Sequence, residues 1–183
     1  MTFEERKILF EQRARALVGE SIVGVRYFEI DYGVPGWEWE HLHSVDFCVE
    51  WKMESNCVFC VIWDAEFYQY GLSVNERPCE NELHDPTVWD VVSDSNWVSL
   101  LHRKIRGVEV YWSYFENLED GSRYYYPQGM EITFERDDKI FLSAAEIHPD
   151  TGELWAEGTD NMVVIFSDDV ARRYCLGPYA PEQ

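Results

Sequence analysis

The sequence predicts an α+β fold dominated by antiparallel strands, and three observations carry that expectation. Helical spacing is confined to the two ends of the chain, period-two alternation fills its interior, and Gly, Pro, Asn and Asp punctuate the alternating runs. With 46% hydrophobic residues and 29 aromatics among 183, the chain has ample material for a core. A single domain over 1–183 is expected, with seven or more strands in one strongly curved sheet or a partly open barrel. An N-terminal helix and a short C-terminal helix bracket it.

The elements follow in order. Thr2-Phe3-Glu4-Glu5 has the form of a capping box, in which hydroxyl and carboxylate each satisfy a backbone amide at a helix start. Phe3, Phe10, Ala14 and Leu17 then recur at helical spacing, and Gly19 supplies a left-handed stop. From Ser21 the period changes, with Val23, Val25 and Tyr27 alternating with Gly24, Arg26 and Phe28. Asp31 to Trp37 reads as a loop. Val45, Phe47, Val49 and Trp51 predict the next strand, a turn over Met53 to Asn56 follows, and Cys57 to Trp63 is apolar on both faces, as in a central strand. Gly71 to Val74 suggests a further short strand, and Glu76 to Pro86 a polar loop. Toward the end, Ser167-Asp168-Asp169 caps a short helix with acids at its positive end, Arg172 and Arg173 lie toward its negative end, and Gly177-Pro178 stops it.

The two halves resemble each other. Leu17 to Val25 aligns with Leu100 to Val108 at an offset of 83, Val45 to Glu50 with Met130 to Glu135 at 85, and Val58 to Val61 with Ile140 to Ser143 at 82. An internal duplication with repeats 17–92 and 100–166 is therefore expected.

Charge excludes several classes of function. Fifteen Lys and Arg face 35 Asp and Glu, a net −20, with −11 from residues 1–92 and −9 from 93–183. Such a surface repels phosphate backbones, so no nucleic-acid partner is expected. No apolar run approaches the ~20 residues of a spanning helix, and the polar start lacks a signal-peptide core, so no membrane association and a cytoplasmic location are expected. Five cysteines, an odd number, suit a reduced chain.

Candidate sites are few. Cys57 and Cys60 are three apart on a strand and point to opposite faces, so they do not converge on one ion. Cys79 and His84 with His41 and His43 match no structural zinc spacing, so no metal and no cofactor are expected. The segment Trp37-Glu38-Trp39-Glu40-His41-Leu42-His43 is the most unusual. Extended, it puts Trp37, Trp39, His41 and His43 on one face and Glu38 and Glu40 on the other, either as a binding surface or as a cover for the end of the sheet. Tyr124, Tyr125 and Tyr126 occupy the corresponding long loop of the second half and suit an interface. No nucleophile motif or phosphate loop occurs, and nothing selects an enzyme. The expectation is a non-catalytic binding protein whose acidic, aromatic surface docks a basic partner protein, as an immunity protein or antitoxin-like inhibitor would. The alternative is a small-molecule-binding domain or enzyme with a Trp/His/Glu cleft at residues 37–43. Self-association into a homo-oligomer stays open.

Overall fold

The computed structural model describes residues 1–39, 41–67, 71–79, 85–148, 151–155 and 159–180. The opening helix runs over Phe3–Arg15 (α1), and the predicted capping box is made: Glu5 N–H donates to Thr2 Oγ1 at 3.2 Å and Thr2 N–H to Glu5 Oε2 at 2.8 Å. Gly19 follows at φ +93°, the left-handed geometry its place requires.

The strands are Ile22–Glu29 (β1), Glu38–Trp39 (β2), Leu42–Val45 (β3), Cys48–Met53 (β4), Val58–Asp64 (β5), Gly71–Asn75 (β6), Thr87–Asp90 (β7), Ile105–Glu116 (β8), Arg123–Phe134 (β9), Lys139–Ala144 (β10), Glu146–Ile147 (β11), Leu154–Trp155 (β12) and Met162–Ile165 (β13). They form two open sheets, β6-β5-β4-β1-β7 and β2-β3-β13-β10-β9-β8, and a small β11-β12 ribbon, with every pairing antiparallel. Neither sheet closes, which corrects the expectation of one curved sheet or a partly open barrel. The run from Val45 to Trp51, read as one strand, is broken at Asp46 and Phe47: β3 belongs to one sheet and β4 to the other. The break is held by Asp46 Oδ2, which accepts from Ile30 N–H at 2.9 Å, and by Phe47 N–H, which donates to Phe28 O at 3.1 Å. A chain passing between layers keeps its alternation while changing partners.

One core lies between the sheets. Val25, Tyr27, Val49, Trp51, Val61 and Val74 from the first meet Met130, Ile132, Ile140, Leu142 and Val164 from the second, with Phe10 and Ala14 of α1 and Leu17 just after it closing one side. Outside the second sheet, Phe141, Val163 and Ile165 pack under Val170 and Ala171 of the helix Asp168–Arg173 (α3). Outside the first, Phe28, Cys48, Cys60 and Cys79 form a small cluster.

Cys60 and Cys79 are disulfide-bonded, which corrects the reading of a fully reduced chain. The bond ties the segment after β6 to the outer face of β5, while Cys57 packs on the inner core, so the predicted opposition of Cys57 and Cys60 is observed. Cys79 lies with Cys48 and Cys60 rather than with the histidines, and His84 is outside the described residues. Crosslinking across a separation of 19 residues restricts the unfolded chain. Cys79→Ala is therefore expected to lower stability by about 3 kcal/mol in oxidising buffer. Denaturant melts with and without a reductant check this, since reduction should remove most of the difference.

No helix among the described residues is long and apolar enough to cross a membrane.

Candidate functional site

β2 and β3 form a tight hairpin, with Glu38 opposite His43 and Trp39 opposite Leu42. The extended stripe expected over 37–43 is therefore folded back on itself, and its members separate. His43 turns into the core at 2% exposure, Trp37 packs on it, Trp39 joins the outer cluster under α3, and Glu38 and His41 stay at the surface. Glu40 lies outside the described residues.

His43 ends a buried relay. Trp97 Nε1–H, on the short helix Ser95–Val98 (α2), donates to Tyr27 Oη at 2.7 Å, and Tyr27 Oη lies 2.7 Å from His43 Nδ1. Tyr27 is fully buried, so its one proton needs an acceptor, and His43 Nδ1 is the one the geometry offers. The neutral imidazole then carries its proton on Nε2, 3.8 Å from Asp94 Oδ1 and 3.5 Å from the Asn96 amide nitrogen. Burial lowers the His43 pKa to about 4, against the opposing pull of Asp94. Trp37 and Phe166 enclose the imidazole edge-on, with ring centroids 4.6 and 4.8 Å away.

In front of His43 opens a cleft of ≈ 260 Å³. Glu38, His41, His43 and Asn96 supply its polar wall, and Leu42, Phe166 and Val170 its apolar one. Three of the residues singled out in the sequence thus line one concavity. Tyr124, Tyr125 and Tyr126 do not join them. They lie in β9 rather than in a loop: Tyr126 is 5% exposed, and Tyr125 packs against Phe3 of α1 and Tyr114 of β8.

A second feature sits at the end of β1. Glu29 is 2% exposed and its Oε2 has no hydrogen-bond partner. Burial pushes its pKa up to about 7 and Asp46 adds to this, while the Gly36 amide and the Trp89 indole work against it. The loop that follows exposes Ile30, Tyr32 and Val34, and Val88 is exposed on the paired edge strand β7.

Charge is not spread evenly around this region. Residues 27–51, 78–102 and 140–171 contain no Lys or Arg and carry 18 of the 35 acidic groups. The remaining 101 residues hold all 15 basic groups and 17 acidic ones, a net of only −2. The fold joins the three stretches, since β1 pairs with β7, β3 pairs with β13, and His43 meets both Asn96 and Phe166. Division of the chain into halves hides this asymmetry, because the stretches are discontinuous. The absence of Lys and Arg from three long windows is the signal that finds Glu29, Asp46, Asp94 and Asp160, which motif reading missed.

Compared with known proteins, the chain matches no family model, no curated protein and no solved structure.

Proposed function

We propose that the protein is a non-catalytic binding protein that docks a basic partner protein on the surface built from residues 27–51, 78–102 and 140–171, as an immunity-protein or antitoxin-like inhibitor would. The observation that carries this is the charge division: those stretches hold 18 acidic groups and no cation, 13 of the acids are among the described residues, and the fold brings described parts of the three stretches together. A field of one sign steers an oppositely charged protein and raises its association rate. Exposed Ile30, Tyr32, Val34 and Val88 add apolar contact area beside Asp31, Asp90 and Asp160.

Internal duplication belongs to the same proposal. The orders β6-β5-β4-β1 and β13-β10-β9-β8 correspond, and the pairings equate Tyr27, Val49 and Val61 with Val110, Met130 and Leu142. All six side chains face the shared core. Those pairings imply offsets of 83, 81 and 81, so the sequence matches at 85 and 82 are out of register by four residues and by one.

The test is co-purification from the protein's own cells at low and high salt, followed by stopped-flow association with the captured partner. The variant Glu38→Gln/Asp31→Asn/Asp90→Asn/Asp160→Asn removes four exposed charges without reversing any. It is expected to slow association roughly 10- to 100-fold at low ionic strength. Four comparable neutralisations at Glu4, Glu20, Glu109 and Glu119 should change it less than threefold. A partner indifferent to salt and to the first set would sink the reading. A second reading, a small-molecule site at residues 37–43, draws on the cleft in front of His43.

A further inference from the structure

We propose that the cleft in front of His43 is a socket for a single arginine side chain of the basic partner, an inference that rests on the docking reading above. Its volume of ≈ 260 Å³ suits one long side chain rather than a folded segment. Every described residue that lines it comes from the cation-free stretches. Glu38 stands exposed in its wall, and Asp94 lies behind His43 with Oδ1 3.8 Å from Nε2. A guanidinium entering the cleft meets the Glu38 carboxylate, with Asp94 behind the His43 ring, and no Lys or Arg among the described lining residues.

His43 is what keeps the cleft receptive. Tyr27 donates to Nδ1 and burial disfavours the imidazolium, so the imidazole stays neutral and does not repel a positive group. The wall matches the rest of the side chain. Leu42 and Val170 give apolar cover for a methylene stem, and the Phe166 ring offers a π-surface on which a weakly hydrated guanidinium stacks.

The chemistry also selects against other occupants. A carboxylate or phosphate would face Glu38, with the charge of Asp94 behind His43 adding to the repulsion.

The test titrates the full ¹⁵N-labelled chain with the peptide acetyl-Ala-Arg-Ala-amide at pH 7 and low ionic strength. A matched peptide with citrulline in place of arginine has the same shape without the charge. Saturable amide shifts are expected at Leu42, Asn96 and Ser167 with the arginine peptide, and at least fivefold weaker binding with citrulline. Glu38→Gln should weaken the arginine peptide at least fivefold while leaving the spectrum of the free protein dispersed, and Glu119→Gln, exposed and outside the docking stretches, should stay within twofold. Absent shifts at the cleft, equal binding of the two peptides, or an unaffected Glu38→Gln would each overturn the socket. If the socket fails while the fourfold neutralisation still slows association, the docking surface stands without it. If the neutralisation has no effect, the docking reading itself falls.

Discussion

Tyr27→Phe is expected to destabilise the fold by about 2–6 kcal/mol, far more than one lost oxygen suggests. Tyr27 Oη holds two other buried groups: it accepts from Trp97 Nε1–H and donates to His43 Nδ1, both at 2.7 Å. Trp97 is fully buried and His43 is 2% exposed, so neither orphaned group reaches bulk water. Each unsatisfied donor or acceptor carries a desolvation penalty of about 1–3 kcal/mol, and removal of the hydroxyl creates both at once. Denaturant unfolding of the variant at pH 7 measures the sum. Imidazole ¹⁵N shifts supply a second readout, because the wild-type ring should show protonation at Nε2 and a bare, hydrogen-bonded Nδ1. In Tyr27→Phe the tautomer preference should relax. A loss below 0.5 kcal/mol with unchanged ¹⁵N shifts would mean that the relay does not organise this part of the core.

What could be read in the sequence depended on how local the physics was. The capping box at Thr2 and Glu5, the stop at Gly19, the turn with Asn56 at φ +71° and the Ser167 cap are set by neighbours within four residues, and each is where the spacing puts it. Sheet membership is not local. Nothing in the alternation from Val45 to Trp51 announces that Val45 pairs with Met162 in one sheet while Val49 pairs with Tyr27 in the other. The same limit applies to the site. Trp37 and His43 stood out by composition, yet a hairpin rather than an extended strand brings them into contact, and their partners Tyr27 and Phe166 are 10 to 123 residues away in the chain. Cys60 and Cys79 likewise needed the return of the chain after β6 to bring their Cα atoms within 5.2 Å.

Glu29→Gln is expected to stabilise the protein by about 3 kcal/mol above pH 7 and to leave it nearly unchanged near pH 4. The sign follows from proton counting. The folded carboxyl titrates at about 7 against 4.5 for an ordinary glutamate, so between these values the unfolded chain is ionised while the folded one keeps its proton. Stability therefore falls as pH rises through that window, and the full cost is present above it. His43 acts in the opposite sense. Its folded pKa of about 4 lies below the ordinary 6.5, so in that interval the unfolded chain binds the extra proton and stability rises with pH. From pH 4.5 to 6.5 the two slopes nearly cancel, and the wild type hides both. Glu29→Gln should expose the His43 slope, a stability that climbs to pH 6.5 and then levels. His43→Gln, whatever its packing cost, should expose the Glu29 slope, a decline from pH 4.5 to 7. Self-repulsion of the acidic surface adds a slope common to all three proteins, so differences between curves isolate each group. Denaturant melts from pH 4 to 8 decide the matter: if Glu29→Gln runs parallel to the wild type throughout, Glu29 is ionised in the fold and its burial is compensated in another way. If the curves diverge as described, a carboxyl buried beside Asp46 costs the fold stability at neutral pH, and a cation brought there by a bound partner would offset that cost.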